Sequence, residues 1–376
     1  MGLALVAPVL VWIAVASPAA VKPAGQLVAL SIENGKVARA ALQVGPSGTA
    51  VDSVVADGHN GWWVGGSFKS IDGTQCPYLL HVLPGLRIDR TWCPRPNGEV
   101  QRLAASGDTL FAAGPTISRV GSLPRKGVAA IDGRTGSVLP WNPRPDFGVD
   151  GRGLAVDGSL LYLTGPFEHI GGKARHQLAA LDTRTARANS WNPKPFYTHG
   201  DPSVTSIAPA GQVVFLEGYF DGMGESLRQG FAEVDATVGR VLPFRPDGQN
   251  AVVANGKLYL LVFPPACTNA GEWVPACAKT TSIAYDLPGL ARNRHWKPAA
   301  KGVFAADQRY AYAYSALSQY TEPQARETLV AMDPATGALK WRSPVFSQPT
   351  NRFVTFTLAA SKTYVLVGGD FTRVGR

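Results

Sequence analysis

The sequence predicts an all-β fold built from repeated units, and three observations lead to this prediction. Turn-forming residues are frequent, with 41 Gly and 29 Pro among 376 residues, while only 17% of the residues are charged. Hydrophobic residues make up 45% of the chain, which is enough to bury a sizeable core. Short apolar runs are separated by Gly-containing turns, as in strands joined by hairpins, and similar phrases return about every 50 residues.

The repeats are clearest in two segments that match each other closely. Val128–Asp132 is followed by Trp141, and Leu178–Asp182 is followed by Trp191 at the same distance. Weaker copies continue the series, so that an aromatic residue returns at Trp92, Trp141, Trp191, Phe244, Trp296 and Trp341. The third unit holds four strand-like runs, which are Arg152–Val156, Ser159–Thr164, Gln177–Asp182 and Ala188–Trp191. A period of about 50 residues with four strands in each unit is typical of a β-propeller.

The two ends of the chain predict how the propeller is completed. Six units fill 49–352, whereas 353–376 carries only the first half of a unit and 26–48 carries only a second half. We therefore expect a single domain over 26–376 with seven blades of about 50 residues and four strands each. The N-terminal strands are predicted to complete the last blade, because closure removes exposed strand edges. The repeated Trp, Asp and Gly residues are interpreted as structural, with each Asp capping a turn and each Trp filling the space between blades.

The N-terminal segment predicts export. Residues 1–21 carry no charge, and the apolar run Leu3–Ala16 is followed by small residues. This pattern predicts that 1–25 is a signal peptide, with an N-terminal membrane anchor as the alternative. We therefore expect a secreted or cell-surface protein that meets the membrane only through this segment.

The four cysteines agree with an oxidising compartment. Four cysteines allow three pairings. We favour Cys76–Cys93 and Cys267–Cys277, because each of these pairs lies within one repeat. A zinc site is the alternative, but the sequence contains no CxxC motif and no His at ligand spacing, so no metal site is predicted.

The repeated phrases also resemble a known family. Gly133–Gly136, Leu161–Gly165 and Ile170–Gly172 are similar to the delta-60-type repeats of secreted bacterial proteins, which belong with the quinoprotein-like and WD40-like propellers. The resemblance covers nearly all of 26–376 and is weakest in the fifth and sixth units. It implies a propeller fold and an extracellular location more than an activity. The abundance of Pro, Ala and Arg suggests an actinobacterium-like source.

Cofactor and catalytic motifs are absent from the sequence. Ala331–Trp341 is similar to the tryptophan-docking motif of quinone-dependent dehydrogenases, which is itself structural. The sequence has neither the adjacent cysteines nor the acidic cluster that such enzymes use, so no cofactor is predicted. It also lacks HExxH, GxSxG and phosphate-loop motifs.

Charge in the loops is the stronger functional signal. The net charge is +9 and the pI about 9.4. In a propeller, the loop between the second and third strands opens on the same face as the loop between blades. Basic residues exceed acidic ones in these two classes of loop, and the basic set includes Arg95, Arg144, Arg152, Lys173, Arg175, Lys194, Arg228 and Arg245. The candidate binding residues are Arg152, Lys173, Arg175, His176, His199, Asp150 and Asp201.

These features predict a secreted or cell-surface binding or scaffold module, monomeric, for an anionic cell-wall or extracellular polymer or for a protein partner. Nucleic acid is not an expected partner, because the sequence carries no basic–aromatic platform motif. The alternative is a propeller-based enzyme, such as a polysaccharide lyase or hydrolase or a redox protein, with its site at the central channel. Its acid–base candidates are Asp150, His199, Asp201 and Asp247.

Overall fold

The computed structural model describes residues 27–38, 42–45, 49–246, 248–262, 281–314, 326–347, 356–369, 371 and 373–375. All regular elements in these residues are β-strands. Several predictions fall outside the described residues: the N-terminal segment 1–25, the Cys267–Cys277 pair and the acid–base candidate Asp247.

The strands are short, as expected for a chain with many turns. The first seventeen are β1 (Leu27–Ser31), β2 (Val44–Gly45), β3 (Val51–Ala56), β4 (Trp62–Gly66), β5 (Ser70–Ile71), β6 (Leu79–Leu83), β7 (Arg87–Ile88), β8 (Arg102–Ser106), β9 (Thr109–Ala113), β10 (Arg119–Val120), β11 (Leu123–Pro124), β12 (Val128–Asp132), β13 (Leu154–Asp157), β14 (Leu160–Thr164), β15 (His169–Ile170), β16 (Lys173–Ala174) and β17 (Leu178–Asp182). The others are β18 (Pro195–Phe196), β19 (Ser203–Ala210), β20 (Val213–Tyr219), β21 (Gly222–Met223), β22 (Ser226–Leu227), β23 (Phe231–Asp235), β24 (Gln249–Ala254), β25 (Lys257–Val262), β26 (Thr281–Asp286), β27 (Ala291–Arg292), β28 (Lys301–Ala306), β29 (Ala311–Tyr314), β30 (Arg326–Met332), β31 (Leu339–Ser347), β32 (Phe356–Ala360), β33 (Tyr364–Gly369) and β34 (Arg373–Gly375).

The longer strands form antiparallel sheets in which, apart from β1 and β34, neighbouring strands follow one another in the sequence. We number these sheets I (β3, β4, β6, β7), II (β8, β9, β12), III (β13, β14, β17), IV (β19, β20, β23), V (β24 to β27), VI (β28 to β31, with β34) and VII (β32, β33, β1). Among the described residues, sheets II, III, IV and VII have three strands and not the predicted four, because in sheets II, III and IV the fourth run adds only isolated bridges such as Leu181 to Ala188. The inner strands β9, β14 and β25 are mostly apolar and buried, because both of their faces are covered by neighbouring sheets.

Each sheet packs against the next one along the chain. The first strands of successive sheets lie side by side from β32 through β3, β8, β13, β19 and β24 to β28. The N-terminal strand β1 is antiparallel to β33, in a register that pairs Leu27 with Gly368 and Ser31 with Tyr364. Sheet VII therefore joins the two ends of the described chain, and its apolar side chains pack with those of sheets VI and I.

A tryptophan at the outer end of most sheets interlocks with the following sheet. The indole N–H donates to a backbone carbonyl of the next sheet: Trp92 to Asp132 at 3.3 Å, Trp141 to Asp182 at 3.1 Å, Trp191 to Asp235 at 3.1 Å and Trp341 to Ile32 at 2.8 Å. Within their own sheets, Trp141, Trp191 and Trp341 pack on an aromatic ring of the second strand, as Trp191 does on Tyr162 at 5.2 Å between centroids. The prediction that these aromatic residues fill the space between units is confirmed.

The repeated aspartates close turns. Asp132 and Asp182 each accept hydrogen bonds from the backbone N–H groups two and three residues later, and Asp235 and Asp333 do the same. This confirms their predicted structural role. The Cys76–Cys93 disulfide is also present, with the two Cα atoms 5.7 Å apart, and it ties a loop of sheet I to the outer end of that sheet.

Candidate functional site

Two classes of loop meet on one face of the molecule. In sheets II, III and IV, the loop between the second and third strands contains a short hairpin that hydrogen-bonds to the loop entering the same sheet. The N–H donors and their carbonyl acceptors are Gly121 to Arg95 (3.1 Å), Gly171 to Pro143 (2.8 Å) and Gly224 to Lys194 (2.8 Å). The predicted juxtaposition of these loops is therefore confirmed.

The hairpin of sheet III, β15–β16, lies against the outer end of the sheet. Its two-residue turn is Gly171–Gly172, and both residues have positive φ, as a tight hairpin turn requires. The carbonyl of Gly171 accepts a hydrogen bond from the N–H of Ala188 at 3.0 Å. A Cβ on Gly171 would lie only 2.5 Å from that backbone nitrogen, so glycine allows this close approach.

This contact creates a basic groove. The groove, of about 920 Å³, lies between the outer end of sheet II, the β15–β16 hairpin and the turn that follows β17. Four of its lining side chains are cationic: Arg144, Lys173, Arg184 and Arg187. No acidic residue is among the described residues that line it. The exposed guanidinium groups can donate paired hydrogen bonds to carboxylate, sulfate or phosphate groups.

Hydrogen bonds fix the rim of the groove. The Lys173 ammonium donates to the carbonyl of Asn189 at 3.1 Å, which holds the charge against the outer end of sheet III. His169 shares a hydrogen bond of 2.9 Å with the carboxylate of Asp146. Burial acts to raise the pKa of the Asp146 carboxyl, but hydrogen bonds from His169 and from two further backbone N–H groups hold it well below its ordinary value. Asp146 therefore stays ionised beside His169 throughout the physiological range.

Arg175, a predicted binding residue, belongs instead to the framework. Its side chain is buried, and its two terminal nitrogens donate to the carbonyls of Ala174, at 2.6 Å, and Asn189. The same arrangement occurs in sheets II and IV: Arg125 donates to Pro124 and Leu139, and Arg228 donates to Leu227 and Leu242. An arginine that satisfies two carbonyls in this way has few donors left for a ligand, which corrects the prediction for Arg175.

Other predicted residues lie nearby with different roles. Asp150 accepts hydrogen bonds from the Thr164 hydroxyl at 2.8 Å and from the N–H of Arg152 at 3.1 Å, so it shapes the entry to β13. The side chain of Arg152 is exposed. His176 shares a hydrogen bond of 2.8 Å with the carboxylate of Glu168 at the base of the hairpin loop. None of these three residues lines the groove.

His199 and Asp201 lie farther along the same face, in the loop that enters sheet IV. Both are exposed, and the ring of His199 packs edge-on against Tyr197 with centroids 5.8 Å apart. Among the described residues, no hydrogen bond joins Asp150, His199 and Asp201 to one another. The described part of the chain therefore shows no assembled acid–base pair among these candidates.

Arg184 and Arg187 were not among the predicted binding residues. They lie in the turn between the third and fourth runs, outside the two classes of loop that were expected on one face. The β15–β16 hairpin bends over the outer strand and brings both kinds of turn into one groove. The sequence feature that could have indicated the groove is a pair of arginines three residues apart that follows a Gly–Gly hairpin turn in the same unit.

In the described ranges, no group of three or more His, Cys, Asp or Glu side chains is arranged to hold a metal ion. No helix long and apolar enough to cross a membrane is found in the described residues.

Comparisons with known proteins bear on the fold. No family model matches the chain, and no curated protein matches it. The chain is similar in structure to the WD40 domain of Pan2 from Neurospora crassa, with a TM-score of 0.50 and 9% identity over 89% of this chain and 96% of that chain. The fold is propeller-like. This likeness extends to the architecture alone, because the sequences share so little identity.

Two other solved structures are similar to the chain. The computationally designed Ika8 protein has a TM-score of 0.46 and 12% identity, over 87% of this chain and 96% of that chain. Hydrazine synthase from Kuenenia stuttgartiensis has a TM-score of 0.45 and 15% identity, over 77% of this chain and 78% of that chain.

Proposed function

We propose that the propeller-like fold is a closed ring of seven blades formed by sheets I to VII. The contacts between successive first strands and the pairing of β1 with β33 support this arrangement. We also propose that the repeats are of the delta-60 type and that the protein is exported. The supporting features are the repeat phrases of sheets II and III, the N-terminal segment and the Cys76–Cys93 disulfide.

The proposed function is binding of an anionic polymer at the bacterial cell surface, in the basic groove beside sheet III. The observation that carries this proposal is a concave site with four exposed cations and no acidic side chain among its described lining residues. Cations arranged along an open groove suit a polymer with repeated negative groups, because each unit of the polymer meets another positive charge.

The groove would act mainly through long-range attraction. Its cations are exposed, so each contact with an anion is worth little by itself and is screened by salt over about 8 Å at physiological ionic strength. Several such contacts act together on one chain, which raises the overall affinity of the polymer. Binding is therefore expected to weaken steeply as the salt concentration rises.

Sedimentation with isolated bacterial cell walls tests the proposal. The full chain, oxidised, is mixed with walls at low and at high salt, and the bound fraction is measured. We expect binding at low salt that falls as salt rises. The triple variant Arg144→Ser, Lys173→Ser, Arg187→Ser should weaken binding at least about tenfold, because it removes most of the charge of the groove.

The control removes the same charge elsewhere. Arg87, Arg90 and Arg292 are exposed and do not line the groove, so replacing all three by Ser should leave binding within about twofold. Equal losses in the two triple variants would show that net charge, and not the groove, attracts the walls. Absence of binding at every salt concentration would overturn the proposal.

A further inference from the structure

One pair of positions recurs in sheets I to IV with different chemistry. In sheet I, Cys76 and Cys93 occupy it, 17 residues apart, and their disulfide shows that the two positions touch. In each of these four sheets, a common backbone hydrogen bond fixes the first position. Its N–H donor lies two residues after that position, and the donors and their carbonyl acceptors are Tyr78 to Phe68, Gly127 to Ile117, Gln177 to Phe167 and Gly230 to Phe220. By this register, the pair is Arg125–Asn142 in sheet II, Arg175–Asn192 in sheet III and Arg228–Arg245 in sheet IV, again 17 residues apart.

Sheet IV therefore brings two guanidinium groups together where the other sheets have a disulfide or an Arg–Asn pair. Arg228 is held in place by the carbonyls of Leu227, at 2.8 Å, and Leu242, at 3.0 Å. Burial lowers the pKa of Arg228, and the positive charge of Arg245 lowers it further. Within the described ranges, neither arginine forms an ion pair with a carboxylate. The arrangement is unfavourable for the protein alone and favourable for a bound anion.

A cavity opens beside these two arginines. It has a volume of about 560 Å³, which is the usual size for a small-molecule site. Its apolar walls are Leu227, Phe231 and Pro246. Phe231 stands where sheet III has Leu178, so sheet IV has gained an aromatic ring next to the paired arginines. Leu227 is 68% exposed and leaves an apolar surface open towards the solvent.

The other polar groups of the cavity determine which ligand charge it favours. Asp221 also lines the cavity, and the N–H and hydroxyl groups of Thr198 donate to its carboxylate. These hydrogen bonds lower the pKa of Asp221, so it is ionised. With two arginines and one carboxylate, the cavity carries a net charge of about +1, apart from His199. This charge suits a single carboxylate better than a polyanion.

We propose that this cavity binds a small organic acid with one carboxylate and an apolar or aromatic body. The carboxylate would lie between Arg228 and Arg245, and the body would pack on Phe231 and Leu227. The site differs from the basic groove in residues, in sheet and in ligand, so it does not depend on the proposed polymer binding.

Phenylacetate is the probe, and its binding to the full chain is measured by titration calorimetry and by ligand-observed NMR. Acetate has the carboxylate but no aromatic ring, and phenylacetamide has the ring but no negative charge. We expect phenylacetate to bind at least about tenfold more tightly than either. Arg245→Asn installs the residue that sheets II and III have at this position, so the fold should persist, and phenylacetate affinity should fall about tenfold.

The reverse substitution provides the matched control. Asn192→Arg recreates the arginine pair in sheet III, where Leu178 replaces the aromatic wall, and it should leave the affinity at the sheet IV site within about twofold. No detectable binding of phenylacetate at 10 mM, or equal affinity in Arg245→Asn, would overturn the proposal. Equal affinity for phenylacetate and acetate would overturn the proposed packing of the ligand on Phe231 and Leu227. Cell-wall sedimentation of Arg245→Asn should remain normal, which separates this proposal from the groove.

Discussion

Sheets III and IV share the same framework hydrogen bonds, and they differ in side chains at the outer end of the sheet. In both sheets a buried or half-buried arginine donates to the carbonyl before it and to a carbonyl fourteen residues later. Around that constant feature, sheet IV replaces Trp191 by the half-buried Phe244 and Asn192 by the exposed Arg245. It also replaces the buried Ala180 by a buried acid, Glu233. In a repeat protein, residues that recur hold the fold, whereas residues that depart from the pattern at one exposed place indicate a site.

The aromatic residues at the outer ends of sheets III and IV also differ in burial and in hydrogen bonding. Trp191 is fully buried, packs on Tyr162 and donates to the Asp235 carbonyl, so it links sheets III and IV. Phe244 is half-buried and has no donor, and its ring packs edge-on against Tyr285 of sheet V with centroids 5.0 Å apart. The Phe244 side chain therefore lacks the hydrogen bond by which the Trp191 indole links sheet III to sheet IV.

The largest expected effect follows from this difference. Trp191→Ala should lower the free energy of unfolding by about 4 kcal/mol, because it leaves a large cavity and removes a buried hydrogen bond. Phe244→Ala should cost only about 2 kcal/mol, since that ring is partly exposed. Urea unfolding of both variants, with Trp141→Ala as a second buried tryptophan, measures the difference. Equal costs at Trp191 and Phe244 would mean that the two junctions are equally strong.

The framework arginines should give a smaller effect. Arg175→Met should cost about 2 kcal/mol, because it leaves the Ala174 carbonyl without its charged donor and the Asn189 carbonyl with Lys173 alone. Arg228→Met should cost about 1 kcal/mol, since it breaks similar hydrogen bonds but also removes the repulsion from Arg245. The measurement is urea unfolding at two salt concentrations. Salt screens the repulsion in the wild-type protein, so the cost of Arg228→Met should rise with salt while that of Arg175→Met stays nearly constant.

The smallest expected effect concerns pH. Burial raises the pKa of Glu233 above its ordinary value of 4.5, although a hydrogen bond from the Phe244 N–H opposes the shift. The native protein therefore holds this proton more tightly than the unfolded chain does. The resulting stabilisation is complete below the ordinary pKa and is lost as the pH rises through the folded pKa.

Glu233→Gln keeps a hydrogen-bond acceptor and removes this titration. The variant should gain stability relative to the wild type as the pH rises from 4 to 7, because only the wild type loses the proton that burial retains. Glu225→Gln, in an exposed loop of the same sheet, is the control for removing a carboxylate without changing the buried position. Thermal unfolding across this pH range makes the comparison, and a constant difference between Glu233→Gln and the wild type would contradict the expected linkage.

Much of the fold could be predicted because the same pattern of strands and turns recurs in several units of the sequence. The runs Ser159–Thr164 and Gln177–Asp182 match the strands Leu160–Thr164 and Leu178–Asp182 to within one residue. The predicted strand Ala188–Trp191 was wrong, because this run forms only an isolated bridge from Ala188 to Leu181. The Cys76–Cys93 pairing was also correct, since both cysteines lie in one unit. The recurring Trp and Asp residues were assigned to the framework, and the same reasoning applied to the recurring arginines would have placed Arg175 there too.

The sequence by itself determined the repeat period, the positions of the strands and which aromatic and acidic residues hold the units together. These properties depend on local patterns of burial and turn chemistry, which the chain repeats. Only the tertiary structure decided which cations stay free. Arg175 is buried because a carbonyl fourteen residues away accepts its hydrogen bond, and Lys173 meets Arg187 in one groove because a hairpin bends over the outer strand. Such contacts join segments that the sequence keeps apart, so spacing alone cannot specify them.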